Sequence, residues 1–248
     1  MTPRTGIVTG GTRGIGRAVV ERLADDGLAV VAVGRDEDAL DQVAAIGGEV
    51  RGHRCDVASE EDVASLFAEV GPVDVLVNNA GISRSAPLAR TTIEDWQLQF
   101  EVNATGAFLC TRAALPGMLE RDSGRIITVA STAGRVGYRY TAAYTASKHA
   151  AVGLMRATAA EVSGSGVTSN AVCPAFVRTE MTERSAQRIA AATGRSDEES
   201  VRALERSSPL GRLLDPEEVA EAVAFLASER AAAINGQAIV LDGGGIQT

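Results

Sequence analysis

Apolar and polar positions along this chain switch repeatedly between a strand period and a helix period. Thr5 to Thr9 reads as a short apolar strand, and Gly10-Gly11-Thr12-Arg13-Gly14-Ile15-Gly16 follows it directly. Ala18, Val19, Val20, Leu23 and Ala24 then recur at helical spacing as far as Asp26-Gly27, where Gly27 suits the left-handed position after a helix. The same alternation continues through a strand at Leu28 to Val33, a helix at about 36–46, a strand at 49–55, a helix at 59–70 and a strand at Val73 to Val77. Beyond it the pattern predicts a long helix from about Thr92 to Leu115, stopped by Pro116-Gly117. A strand at Arg125 to Ala130, a helix at Thr141 to Val162 and a strand at Val167 to Cys173 complete the central part. Residues 178–210 break the rhythm, with two short helical pieces around Ser185–Ala192 and Asp197–Glu205 on either side of Thr193-Gly194. Asp215-Pro216-Glu217-Glu218 opens a last helix with an Asp cap, Pro at the first position and Glu at the third, and Ala238 to Leu241 is a final strand. Strands alternating with helices at this spacing predict an α/β fold of about seven strands: a doubly wound parallel sheet with helices on both faces and its ligand at the strand C-termini.

Composition narrows the classes of function. With 248 residues and no linker-like stretch, residues 1–248 read as one domain. The apolar fraction of 45% is ample for a core, and aromatics at only 4% mean that Ala, Val, Leu and Ile must build it. A formal charge of −8 argues against nucleic-acid and anionic-membrane partners, which need basic clusters. Cys55, Cys110 and Cys173 are odd in number and lack metal spacing, so buried thiols in a reducing compartment are expected and no metal site is. The chain reaches its first strand without an apolar signal segment and holds no membrane-length run, which makes the cytoplasm the expected location.

The glycine turn between strand and helix is a phosphate cradle in the right context: backbone can approach a pyrophosphate, and the helix N-terminus offers N–H donors. The end of the second strand, Gly34-Arg35-Asp36, bears on which dinucleotide is used. An Arg there favours the 2′-phosphate of NADP, whereas a carboxylate favours the free 2′-hydroxyl of NAD. With Gly34 at the strand end, Arg35 and Arg13 favour NADP(H); a strand two residues longer would make Asp36 the NAD-type acid. Asp56, at the next strand end, could accept from an adenine amino group or cap the following helix.

Lys and Arg together number 24, yet Lys148 is the single lysine. An ammonium is compact and its pKa tunable, whereas a guanidinium stays charged. Tyr144 lies four residues earlier, so both side chains share a helix face, and an adjacent ammonium is expected to lower the phenol pKa toward neutrality. Ser131 ends the strand before this helix, on the ligand side of the sheet. Asn103 lies within the long helix between apolar neighbours, where it needs partners unless it bends the helix or holds a water.

Thr9-Gly10-x-x-x-Gly14-x-Gly16, Asp56, Asn78-Asn79-Ala80-Gly81, Asn103, Ser131 and Tyr144-x-x-x-Lys148, in this order, resemble the short-chain dehydrogenase/reductase family over nearly the whole chain. The resemblance implies an NAD(P)-dependent oxidoreductase in which Tyr144 gives a proton to a ketone oxygen and Lys148 holds the cofactor ribose. It also implies that Ser131 bonds the developing alkoxide and that Asn103 anchors a water. It lays the cofactor along Gly10, Thr12, Arg13, Gly14, Ile15, Gly16, Arg35, Asp56, Val57, Asn79, Ala80, Gly81, Tyr144, Lys148, Pro174, Val177 and Thr179. The family usually has Pro-Gly where this chain has Pro174-Ala175, and a slightly narrowed nicotinamide wall is the expected consequence.

Ser131-Thr132-Ala133-Gly134, Tyr144 to His149 and Asn170 to Pro174 look most like 3-oxoacyl-thioester reductases and polyketide ketoreductases. That resemblance implies a small-molecule or thioester-linked ketone as substrate, a homotetramer, and 178–210 as a substrate lid. Arg135, Arg139, Arg178 and Arg184 are candidates to meet an acidic carrier protein. Gly164-Ser165-Gly166 lacks the basic residue that acyl-carrier reductases tend to place there, so CoA thioesters and free ketones stay open. The alternatives are an NAD-dependent dehydrogenase of a secondary alcohol, diol or sugar, and a catalytically idle dinucleotide-binding regulator. His149 and His53 read as structural and surface residues.

Overall fold

A computed structural model describes residues 3–247. β1 (Thr5–Thr9), β2 (Ala29–Gly34), β3 (Val50–Arg54), β4 (Val75–Asn78), β5 (Gly124–Val129), β6 (Val167–Pro174) and β7 (Ala238–Leu241) form one sheet in the order β3-β2-β1-β4-β5-β6-β7. Every neighbouring pair is parallel. The order reverses between β1 and β4, so both strands deliver their C-terminal ends to one crevice. β4, β5 and β6 are buried along their whole length and rich in Val and Ile, because helices cover both faces of a parallel sheet.

On one face α1 (Gly14–Asp25) packs beside α9 (Pro216–Ala227), where Val19, Leu23, Val219 and Val223 share a core with Val8 and Val172. On the other, α3 (Glu60–Val70) and α5 (Gly106–Glu120) bring Leu66, Leu109, Cys110 and Met118 against Ile7, Leu76 and Ile126. Cys55, Cys110 and Cys173 are unpaired buried thiols, and burial pushes the first two up to about 12, so they stay protonated. Gly27 follows α1 at φ 83°, the left-handed stop its position predicts. Glu218 accepts the Asp215 N–H at 2.8 Å, so α9 starts as its sequence predicts. Among the described residues no helix is long and apolar enough to cross a membrane, and no group of His, Cys, Asp or Glu could hold a metal.

The long helix departs from its prediction in two ways. It splits into α4 (Ile93–Phe100), a π turn at Glu101–Thr105 and α5, and α5 runs through Pro116. Pro116 and Arg112 are both exposed, so the carbonyl that loses its N–H donor lies on the solvent side, where water replaces it. The helix ends instead at Glu120, with Arg121 as its C-cap before Asp122 at φ 49°. The irregular region also holds more helix than its pattern indicates: α7 spans Glu180–Thr193 and α8 spans Asp197–Ser207. Gly194 at φ 73° separates them, and a Ser196–Glu199 capping box starts α8. Between β2 and β3 lies α2 (Glu37–Ala44), and α6 (Ala142–Glu161) joins β5 to β6.

Candidate active site

At the strand C-termini lies one cavity of about 1290 Å³, beyond the ~300–1,000 Å³ of an ordinary single-ligand pocket. Its nucleotide end begins where β1 gives way to the glycine turn. Gly10 and Gly14 take φ 64° and 51°, conformations that disfavour a side chain, and a Cβ on Gly16 would collide with the Gly10 carbonyl oxygen. Thr9 ties this turn to β4: its hydroxyl accepts from the Asn79 and Ala80 N–H groups at 3.0 Å each and donates to the Val77 carbonyl at 3.3 Å. The Asn79 carboxamide donates back to the Thr9 and Gly10 carbonyls at 2.9 and 3.1 Å. Asn79 therefore braces the turn as well as lining the cavity. Thr9 opens the glycine motif in the sequence, but its bracing of the turn against β4 shows only in the fold.

β2 stops at Gly34, the register that frees Arg35. Asp36 turns away to cap α2, accepting the Ala39 N–H at 3.2 Å, so it does not extend the strand. Arg35 lies 3.5 Å from Asp56, and Arg13 lies 3.2 Å from Glu180. Both guanidinium groups are about two-thirds exposed, so each pair is worth at most ~1 kcal/mol and gives way easily to another anion. Asp56 is not the cap of α3. Ser59 takes that place because the turn after β3 directs Asp56 onto the Ala58 N–H at 3.0 Å.

The reaction end forms where β5 and α6 meet. Ser131 follows β5 and accepts the Ala133 N–H at 3.1 Å, opening a short 3₁₀ turn that holds its hydroxyl toward the cavity. Tyr144 and Lys148 stand one helical turn apart on α6, with the Lys148 Nζ 5.9 Å from the Tyr144 ring centroid. Lys148 is 5% exposed and donates to the Val129 carbonyl at 2.9 Å, and among the described residues no carboxylate forms an ion pair with it. Burial lowers its pKa from 10.5 to about 8. Tyr144 corrects a sequence expectation. Burial raises its pKa above the ordinary phenol value, and a hydrogen bond with Ser131 pulls the other way without overcoming it. The Lys148 ammonium, 5.9 Å from the ring centroid, does not offset that burial.

Asn103 lies behind the cavity rather than on its wall. The π turn aims its side chain at Ile82 and α6: Oδ1 accepts the Ile82 N–H at 2.8 Å, while Nδ2 donates to the Ile82 carbonyl at 3.0 Å and to Ser147 Oγ at 2.9 Å. Ser147, fully buried, passes this on by donating to the Tyr144 carbonyl at 2.9 Å. A Cβ on Gly81 would lie 3.2 Å from the Asn103 oxygen and 3.4 Å from the Lys148 Nζ, so Gly81 keeps the space between them open. Ser147 had no role in the sequence reading, although it sits within the motif. The remaining expected residues, Thr12, Ile15, Val57, Ala80, Pro174, Val177 and Thr179, all line the cavity. Ala175 lines it as well, with φ outside the glycine region, and its N–H donates to the Leu241 carbonyl at 2.9 Å. The backbone there does not require glycine.

A glycine cradle at the switch point of a parallel sheet, sharing one cleft with a Ser, a Tyr and a buried Lys, defines a dinucleotide-dependent oxidoreductase. Residues 10–245 match the family model described as enoyl-(acyl carrier protein) reductase, and the chain belongs to the short-chain dehydrogenase/reductase family. It is 39% identical over 254 residues to a 3-oxoacyl-[acyl-carrier-protein] reductase of Synechocystis sp., covering 98% of this chain and 97% of the relative. A 3-oxoacyl-[acyl-carrier-protein] reductase of Vibrio cholerae is 38% identical over 246 residues, covering 97% and 96%. Among solved structures, a variant of the actinorhodin polyketide ketoreductase with NADPH is 40% identical, covers 98% of this chain and 97% of that one, and superposes with a TM-score of 0.92. The residues present fit the dinucleotide this family implies. Gly10 and Gly14 hold backbone conformations that a side chain disfavours, Gly16 lets the turn close against the Gly10 carbonyl, and all three line the cavity where a pyrophosphate would lie. Lys148 is a buried donor facing the same cavity, with Val129 as its hydrogen-bond acceptor among the described residues.

Proposed function

We propose that this protein reduces the ketone of a 3-oxoacyl thioester or a related β-keto compound to a secondary alcohol, with NADPH as the reductant. The observation that carries the reading is that Arg13 and Arg35 lie at one end of the cavity and Ser131, Tyr144 and Lys148 at the other. NADPH, when bound, supplies the hydride for the ketone carbon. Tyr144 holds the proton for the ketone oxygen, and its raised pKa keeps it a donor at neutral pH. The Ser131 hydroxyl bonds the same oxygen and stabilises the charge that develops on it. Lys148 keeps a positive charge beside the phenol as that proton leaves, and Asn103 with Ser147 fixes the helix turn that carries both. Arg13 and Arg35 bind the 2′-phosphate, and Asp56 and Val57 border the adenine.

Residues 178–210 act as the lid, presenting Met181, Ile189 and Leu204 to the acyl chain. These apolar side chains sit among polar ones such as Thr182, Ser185 and Ser207, a mixed lining that suits an acyl chain carrying a polar thioester. At the mouth, Arg178 pairs with Asp215 and Arg184 with Glu180. These exposed pairs are weak enough to exchange for the acidic surface of a carrier protein, and Arg139 lines the same cavity. We infer a homotetramer working in the cytoplasm; exposed Ile93, Trp96 and Phe108 around α4 and α5 support assembly.

The test is NADPH consumption by the purified protein with 3-oxoacyl-CoA, 3-oxoacyl carrier protein and free ketones, each repeated with NADH. Reduction of a β-keto thioester with NADPH preferred is the expected result. Alcohol oxidation with NAD alone, or cofactor binding without turnover on any substrate, overturns the reading.

A further inference from the structure

Tyrosine is scarce in this chain: there are three, and all three line the same cavity. Tyr144 belongs to the reaction end. Tyr138 and Tyr140 sit on the loop between β5 and α6, share the cavity lining with the lid residues Met181 and Ile189, and are 42% and 54% exposed. A chain this poor in aromatic residues leaves two large rings open to a cavity wall rather than spending them in its core.

Tyr140 is also held in a costly conformation. Its φ of 67° lies in the left-handed region, which a bulky side chain rarely adopts, and glycine is the ordinary residue there. The loop is pinned all the same: the Tyr140 carbonyl accepts the Ala86 N–H at 2.8 Å, and the Thr141 hydroxyl donates to the Tyr138 carbonyl at 3.0 Å. Arg139 covers one face of the Tyr140 ring, its guanidinium carbon 5.3 Å from the centroid, and donates to the phenol oxygen at 3.2 Å. The ring is thereby fixed in orientation and polarised by a cation. Backbone strain kept at a cavity wall, on a residue whose side chain makes that wall, is the pattern of a ligand clamp.

We propose that Tyr138 and Tyr140 form an aromatic clamp that stacks a ring-bearing portion of the substrate, so that the protein selects aryl ketones over straight-chain ketones of equal size. The clamp deepens the ketoreductase reading above and rests on it. Tyrosine suits the task because it offers a large rigid face at the cost of only two side-chain torsions. Offset stacking on one such ring is worth roughly 0.5–1.5 kcal/mol beyond burial, or about two- to twelvefold in binding. Two rings set the selectivity at about tenfold or more.

The experiment compares methyl naphthyl ketone with methyl decyl ketone, matched in carbon count, by kcat/KM with NADPH and by saturation-transfer NMR without cofactor. The proteins are wild type, Tyr138→Leu, Tyr140→Leu, Tyr140→Phe and Tyr140→Gly. Wild type is expected to favour the naphthyl ketone about tenfold, mainly through KM. Each Leu variant and Tyr140→Gly should lose most of that ratio, whereas Tyr140→Phe keeps it. Glycine suits φ 67°, so a loss in Tyr140→Gly cannot be ascribed to a misfolded loop. An aryl-to-alkyl ratio near one in wild type, or an aryl preference that survives in all three ring-removed variants, overturns the clamp. Naphthyl binding that depends on the two tyrosines, in a protein that reduces neither ketone, upholds the clamp and instead defeats the ketoreductase reading.

Discussion

Replacing Lys148 by methionine separates what the buried ammonium costs the fold from what it gives the reaction. The side chains are similar in length, but the cation and its bond to Val129 disappear. The gap between 10.5 and about 8 corresponds to roughly 3 kcal/mol set against the charged form in the folded protein. Deleting the charge removes that penalty, while leaving the Val129 carbonyl without its donor returns about 1–3 kcal/mol of it. Lys148→Met is therefore expected to be as stable as wild type at pH 7, or about 1–2 kcal/mol more so, which for a chain of this size raises Tm by about 2–8 °C. Turnover should nevertheless fall about 10²–10³-fold, the usual cost of removing one preorganised electrostatic group. The pH dependence carries the sign. Folded Lys148 loses its proton near pH 8, whereas the unfolded chain keeps it to about 10.5, so between those values the unfolded state binds more protons and wild-type stability rises. The variant has no such rise, so wild type gains about 2–3 kcal/mol on it between pH 7 and 10 and should draw level and then melt higher by pH 10. Thermal melts from pH 6 to 10, with kcat/KM at pH 7, test this. A variant that melts well below wild type at pH 7, with the gap unchanged at pH 10, would show that the ammonium stabilises the fold and refute the reasoning.

Four further outcomes follow from the same geometry. Lys148→Arg keeps the charge that wild type also carries at pH 7 but adds bulk in a buried site, so it should lose most activity and be about 1–3 kcal/mol less stable, as calorimetry will show. Tyr144→Phe should reduce turnover by about 10²–10⁴-fold while NADPH binding, followed by fluorescence, stays within about twofold. Arg35→Ala should raise the Kd for NADPH by about tenfold or more and leave NADH unchanged, because only the 2′-phosphate needs a guanidinium; equal losses for both cofactors would count against that role. Ser147→Ala leaves an Asn103 donor unpaired in a buried site, which should cost about 1–3 kcal/mol and be visible as a lower denaturation midpoint.

The alternation of strand and helix, the glycine turn and the spacing from Ser131 to Lys148 were legible because each rests on local rules: side-chain period, turn conformation and helix face. Those rules were enough to place Tyr144 and Lys148 on one face and to stop β2 at Gly34. They failed where a residue's partner lies far along the chain. The length of α5 depended on which side of the helix Pro116 faces, and the cap of α3 on how the turn after β3 directs Asp56. Asn103 was marked as a polar residue out of place, but its partners, Ile82 and Ser147, are 21 and 44 residues away. Only the packed structure brings them together, with a π turn that no periodicity announces.

The electrostatics divide in the same way. A lone lysine beside a tyrosine could be read as a functional pair from composition and spacing. The sign of the tyrosine's pKa could not, because desolvation depends on everything packed around the ring. Local sequence fixes which groups are present and which way a helix or strand turns them. Depth of burial, the distances between charges and the convergence of three tyrosines on one cavity come from contacts between distant segments, and those were decided by the tertiary structure.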